Sequence, residues 1–157
     1  RDGTILKLVP YLSKLEDYQI YSTASVAIKK LNDYNFKTIV ITNQSGVARD
    51  YFKINDVKKL HKNMQNDLKN INTKVDAFHF SPFHVDGIVK RYTKNSSCRK
   101  PGIGMFKKIQ KKFTVNKKES FMIGDQKTDM LFAKRCGVNG YFFKRGNLLN
   151  FIKKKLK

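Results

Sequence analysis

Thr38-Ile39-Val40-Ile41-Thr42-Asn43-Gln44-Ser45-Gly46 decides the fold class. Its first half is β-branched and apolar without alternation, which is how a strand buried on both faces reads. Its second half turns abruptly polar and ends on glycine, so the strand gives way to a loop rich in hydrogen-bonding groups.

Comparable runs recur along the chain. Ala77-Phe78-His79-Phe80, Ser120-Phe121-Met122-Ile123-Gly124 and Gly140-Tyr141-Phe142-Phe143 read as buried strands. Between them lie helical stripes: Ala24, Ala27, Ile28 and Leu31, then Val57, Leu60, Met64 and Leu68. Ile103, Phe106, Ile109 and Phe113 continue the series, and Leu148, Leu149, Ile152 and Leu156 close it. Strands alternating with helices imply an α/β fold with a parallel sheet. Ligands of such sheets bind beyond the carboxyl ends of the strands, so Thr42-Asn43, Ser81-Pro82 and Asp125 are expected on one rim. Val85 to Ser97 has little periodicity and reads as a surface loop.

The 157 residues are enough for one domain, 1–157, with a single core. No apolar run is long enough to span a bilayer, and no signal-peptide pattern is visible, which speaks against a membrane partner. Cys98 and Cys136 are too few for a disulfide framework, so a reducing cytoplasm is the expected compartment. The pattern specifies no oligomeric state. Lys and Arg outnumber Asp and Glu 33 to 12, a net charge of +21. An anionic partner would use such charge. Yet Lys107, Lys108, Lys111, Lys112, Lys117, Lys118, Lys153, Lys154, Lys155 and Lys157 form no aromatic-interleaved face, so a solvated surface outweighs nucleic-acid binding.

Arg1-Asp2-Gly3-Thr4, Thr42-Asn43-Gln44-Ser45-Gly46, Arg99-Lys100-Pro101 and Gly124-Asp125-Gln126-Lys127-Thr128-Asp129 stand in that order. Singly, each is a common turn or corner. Jointly, the order resembles the haloacid dehalogenase (HAD) superfamily of Mg²⁺-dependent phosphatases. Within it, Ser45-Gly46-Val47-Ala48-Arg49 and Cys98-Arg99-Lys100-Pro101 with Gly104-Met105 are most similar to the heptose bisphosphate phosphatases, beside the histidinol-phosphate phosphatases. The resemblance covers essentially the whole chain.

It implies a Rossmann-like three-layer parallel sheet of the HAD type, whose first central strand ends in Asp-Arg-Asp-Gly-Thr. The first Asp of that motif is the family's nucleophile. It forms an aspartyl-phosphate, and the 157 residues beginning at Arg1 are expected to be inactive as they stand. Asp2 matches the general acid and base, and its main-chain carbonyl a metal ligand. Asp125 matches the metal aspartate, Mg²⁺ being suited to carboxylate-plus-phosphate sites. Thr42 and Lys100 match the groups that stabilise the phosphoryl oxygens. Asp129 is expected to support the loop. Arg1, Tyr11, Asn43, Gln44, Ser45 and Arg99 are expected on the substrate side, with the Arg99 fork suited to a second phosphate or a sugar hydroxyl.

Two departures stand out. The branch usually holds a structural zinc with a Cys-Pro-His-His-Pro loop and a later Cys-x-Cys. Here those stretches read Ser81-Pro82-Phe83-His84-Val85 and Ser96-Ser97-Cys98, so no zinc is expected and packing by Phe83 holds the loop. After the first motif, Leu6-Lys7-Leu8-Val9-Pro10 replaces a polar run, which bears on which sugar is bound. The implied substrate is a small phosphorylated sugar, foremost a D,D-heptose 1,7-bisphosphate. Histidinol phosphate, a nucleic-acid 3′-phosphate, and a non-catalytic basic module on this scaffold are the alternatives.

Overall fold

The computed structural model describes residues 1–156; Lys157, counted above among the surface lysines, lies outside them. The chain runs α1 (Ser22–Asp33), β1 (Ile39–Asn43), α2 (Ile54–Lys69), β2 (Ala77–Ser81), α3 (Gly104–Gln110), β3 (Phe121–Gly124), α4 (Lys127–Cys136), β4 (Asn139–Phe142) and α5 (Leu148–Lys155). Each strand expected from sequence is present, shifted by at most one residue at an end.

The strands are parallel, and among the described residues they form two pairs. β1 pairs with β2, with Ile39 opposite Ala77 and Asn43 opposite Ser81. β3 pairs with β4, with Phe121 opposite Asn139 and Gly124 opposite Phe142. An apolar cleft of about 680 Å³ is lined by residues of both pairs, among them Ile39, Ile41, Phe121 and Ile123, with Phe106 and Ile152. Arg1, Thr4 and Ile5 also line it.

Helices cover these strands through the stripes read from sequence. Ile28, Leu60, Met64 and Leu68 pack with Leu6, Leu12, Val40 and Val75 into one cluster. Ala24, Ala27 and Leu31 pack with Phe143, Leu148 and Ile152 into another. Of the apolar replacement after the first motif, Leu6 is fully buried and serves the core, whereas Leu8 is 62 % exposed.

Three local expectations change. α3 ends at Gln110, so Phe113 falls beyond it and lines the cleft from a loop. The loop from Val85 to Ser97 contains a 3₁₀ turn at Lys90–Tyr92. α4 was not marked by an apolar stripe, because the first inward position is Asp129, followed by Phe132, Ala133 and Cys136. Gly137 stops it in the left-handed conformation at φ 72°, a geometry glycine adopts without strain. No helix is long and apolar enough to cross a membrane among the described residues.

Met64 is fully buried on the inner face of α2. Met64→Ala should lower the unfolding free energy by about 2–5 kcal/mol through lost transfer energy and the cavity left behind, as read by urea denaturation.

Candidate active site

The carboxyl end of β1 supplies the centre. Thr42 is buried, and its Oγ1 accepts a 2.9 Å hydrogen bond from Gln44 Nε2. The same Gln44 amide donates to Asp2 Oδ2 at 3.0 Å, so one side chain joins the first two motifs.

Asn43 joins the third. Its Nδ2 donates to the Lys100 carbonyl at 3.1 Å, and its Oδ1 accepts from the Lys100 N–H at 2.9 Å. The Lys100 backbone is thereby clamped against the strand end. Its ammonium turns inward, donating to the Ile41 carbonyl at 3.0 Å and lying 2.6 Å from Asp129 Oδ1. Both side chains of this ion pair are at most 8 % exposed, so the charges face each other with little water between.

Asp129 joins the fourth. Its Oδ2 accepts the Gln126 N–H at 3.1 Å, capping α4. That fixes the turn holding Asp125, whose Oδ2 accepts from Gln126 Nε2 at 3.1 Å. Asp125 in turn lies against the Asp2–Gly3 turn. Gly3 has φ +79°, and a Cβ built on it would overlap the Asp125 carboxylate. Glycine is required there by conformation and by space alike. The motifs thus close on themselves: Asp2 to Gln44 and Thr42, Asn43 to Lys100, Lys100 to Asp129, Asp129 to the turn of Asp125, and Asp125 back to Gly3.

Arg1 braces Asp2 from the other side. Its Nε and Nη2 donate to Asp2 Oδ1 and Oδ2 at 2.9 and 3.0 Å, and its side chain is 1 % exposed. Burial by itself would raise the Asp2 pKa. The charge of Arg1, then that of the neighbouring amino group, with hydrogen bonds from Arg1 and Gln44, outweigh this and hold the carboxyl below its ordinary value. Arg1, Asn43 and Gln44, expected on the substrate side, hold partners within the rim: Arg1 and Gln44 bond Asp2, and Asn43 bonds the Lys100 backbone.

The outer residues sit differently. Arg99 is half-buried and donates to the Phe83 carbonyl at 3.1 Å. Its pKa is lowered by burial and then by the nearby charge of Arg49. Tyr11 is exposed and meets Tyr51 edge-on, ring centroids 4.6 Å apart. Ser45 is half-buried at the start of the loop. Around the loop after β2, Phe83 packs edge-on against Tyr92 at 6.1 Å. His84 contacts Arg49 and Asp86.

A hard cation suits the donors at this rim. Among the described residues no three His, Cys, Asp or Glu side chains gather around one point. The carboxylate that lies against the Asp2–Gly3 turn is that of Asp125. Mg²⁺ keeps several waters and takes one or two carboxylates plus substrate phosphate, so so sparse a protein share fits it.

His61 was not read from sequence as part of the site. It is 6 % exposed on the inner face of α2, stacked on Phe78 at 4.6 Å, with Nε2 3.3 Å from Arg1 Nη1. The available signal was a lone polar residue among Val57, Leu60, Met64 and Leu68. Its pKa is lowered to about 3, by burial first and then by the Arg1 charge, so the folded ring is neutral.

Comparisons with known proteins show the family and the fold. The family pattern described as polynucleotide kinase 3 phosphatase matches residues 2–142. A D-glycero-alpha-D-manno-heptose-1,7-bisphosphate 7-phosphatase of Photorhabdus laumondii is 39 % identical over 139 residues, 88 % of this chain and 75 % of that protein. A D-glycero-beta-D-manno-heptose-1,7-bisphosphate 7-phosphatase of Rhodopseudomonas palustris is 35 % identical over 156 residues, 99 % of this chain and 87 % of that protein. Among solved structures, a protein of Mesorhizobium loti described as HAD-like phosphatase superposes with a TM-score of 0.86. It is 27 % identical, over 93 % of this chain and 70 % of that one. The D,D-heptose 1,7-bisphosphate phosphatase of B. bronchiseptica, complexed with magnesium and phosphate, shares the fold. Its TM-score is 0.81 at 24 % identity, over 98 % of this chain and 83 % of that one.

Removing one partner of the buried ion pair leaves the other charge uncompensated. Asp129→Ala should cost about 3–5 kcal/mol of stability, read as a lowered urea midpoint with Lys100 left in place. His61 gives a pH signature. Between about 3 and 6.5 the unfolded chain takes up its imidazole proton while the folded chain does not. Stability therefore falls as pH drops below 6.5, by at most about 1.4 kcal/mol per pH unit from this group. Urea midpoints at pH 7 and pH 5 should differ less in His61→Phe than in the wild type.

Proposed function

The chain belongs to the HAD-like phosphatase family whose pattern matches residues 2–142, and we propose that it is a Mg²⁺-dependent phosphomonoesterase acting on a phosphorylated sugar, foremost a D,D-heptose 1,7-bisphosphate. The observation that carries this is the closed circuit of hydrogen bonds and contacts linking Asp2, Thr42, Lys100, Asp125 and Asp129 at the strand ends. The curated relatives named above support the sugar.

In the family motif an aspartate stands directly ahead of the position that Arg1 matches, and that aspartate is the attacking group the resemblance implies. The Asp125 carboxylate and the Asp2 main-chain carbonyl would hold Mg²⁺, which when bound would supply the positive charge that lets a carboxylate approach a phosphate dianion.

The chain's own side chains divide the remaining work. Thr42 Oγ1 accepts from Gln44, which leaves its own proton free for a phosphoryl oxygen. The Lys100 ammonium has three donors; the Ile41 carbonyl takes one, Asp129 lies 2.6 Å away as its ion partner, and donor capacity remains for the phosphoryl group. Asp2 gives a proton to the departing sugar oxygen, so that an alcohol rather than an alkoxide leaves, and later takes a proton from the incoming water. Held as a carboxylate in the ligand-free site, it has the protonation state the base role needs. A dianion arriving beside it raises its proton affinity and prepares the acid role. By the family resemblance we assign the Arg99 fork to a second phosphate or a sugar hydroxyl, with Tyr11 and Ser45 on the substrate side. The two free cysteines fit a cytoplasmic enzyme.

The test is phosphate release by the full-length gene product with Mg²⁺, offered a D,D-heptose 1,7-bisphosphate or a 3′-phosphorylated oligonucleotide. Turnover of the sugar, undiminished by added DNA, is the expected result; preference for the oligonucleotide transfers the enzyme to nucleic-acid ends. Asp2→Asn should slow sugar turnover by about two to four orders of magnitude, and Asp125→Ala should abolish the response to added Mg²⁺. An unchanged rate in either variant removes that residue from its role.

A further inference from the structure

Asp2 has a proton to deliver and collect, and the direction in which its carboxylate points is set by Arg1. The Arg1 fork takes both carboxylate oxygens through Nε and Nη2. That leaves Nη1, a donor on a fully charged group whose side chain is 1 % exposed. The partner of Nη1 is His61 Nε2 at 3.3 Å. A guanidinium offers only donors, so the ring nitrogen facing it must be the acceptor and the proton must sit on Nδ1.

His61 is in turn held firmly. Its ring is stacked on Phe78 at 4.6 Å and meets Phe80 edge-on at 5.9 Å, both on β2. Its backbone belongs to α2, whose neighbours Leu60 and Met64 are core residues. A rigid acceptor therefore fixes one end of the guanidinium, and the guanidinium fixes the carboxylate. Gln44 completes the brace from β1 by holding Asp2 Oδ2.

Resting on the phosphatase reading, we propose that His61 is a positioning residue for acid catalysis: it orients Asp2 through Arg1, without touching substrate. Without the acceptor, a buried cationic donor is left unpartnered. The fork is then free to turn, and Asp2 loses its aim at the leaving oxygen. Proton transfer depends steeply on such aim.

This role has a signature that simple loss of structure lacks. An aryl phosphate such as 4-nitrophenyl phosphate departs as a stable phenolate and needs little protonation, whereas a sugar phosphate departs as an alkoxide and needs it fully. The quantity to read is kcat/KM, which ends with phosphoryl transfer, for both substrates in the full-length protein with Mg²⁺. His61→Phe keeps the stacked ring and removes the acceptor. It should lower kcat/KM for the sugar phosphate at least about tenfold more than for the aryl phosphate, a fraction of the whole acid contribution. His61→Gln sets an amide oxygen near the place of Nε2 and should restore most of that ratio. In an Arg1→Lys background, where the fork is already gone, His61→Phe should change the ratio little further, since the two act in series; if the Phe variant does not fold, Arg1→Lys alone should lower the same ratio, and His61→Gln should leave it near the wild-type value.

Equal losses on both substrates, no loss on either, or full additivity with Arg1→Lys overturns the role of His61 while leaving the phosphatase intact. A wild-type protein that releases phosphate from neither substrate sinks the phosphatase reading itself, and the positioning role with it.

Discussion

The buried pairing of Lys100 with Asp129 is the constraint on which the rim depends. β1 and β3 belong to separate strand pairs with an apolar cleft between them. At the carboxyl ends, Lys100 reaches across: its ammonium meets the Ile41 carbonyl on the β1 side and Asp129 at the start of α4 on the β3 side. Such a pair is a poor source of net stability, since desolvation cancels much of the attraction. What it supplies is register. The loop after β1 and the turn after β3 cannot drift apart without stranding a charge in a dry place, so Thr42 and Asp125 stay on one rim.

Around that tie the polar groups sort into two shells. Gln44, Asn43, Arg1 and Asp129 face inward and hold Asp2, the Lys100 backbone and the Asp125 turn. Thr42, Lys100, Asp125 and Asp2 keep capacity for a ligand. A site for a phosphoryl group needs this division, because donors that must reorganise at the moment of reaction stabilise little. Asp2 shows the tension most clearly. Its brace keeps it a carboxylate, whereas departure of a sugar oxygen demands a proton from it. Both hold if its protonation follows the arrival of the phosphate dianion.

Much of this was legible in the sequence, for reasons that differ by element. The strands announced themselves because short β-branched and aromatic runs have few other homes in a domain of this size. α2 was plain from Val57, Leu60, Met64 and Leu68. α4 was hidden because its inward stripe begins with a charged residue, and Asp129 reads as surface until Lys100 is found beside it. Phe113 misled for the opposite reason, an apolar residue at helical spacing that serves the cleft from a loop. The motifs identified which residues gather, but not which way each side chain turns. Arg1, Asn43 and Gln44 look like substrate ligands in one dimension. Only the fold reveals that Asp2 and Lys100 are also their partners, and that a histidine from the inner face of α2 completes the brace.

The most direct measurement is a crystal structure of the full-length protein grown with Mg²⁺ and orthovanadate, a mimic of the phosphoryl group in transfer. The account predicts the vanadate on the rim, its oxygens within hydrogen-bond reach of Thr42 Oγ1 and Lys100 Nζ, with the metal on Asp125 and one Asp2 oxygen facing the leaving position. Vanadate bound elsewhere, or these side chains too far apart to surround one such group, contradicts it.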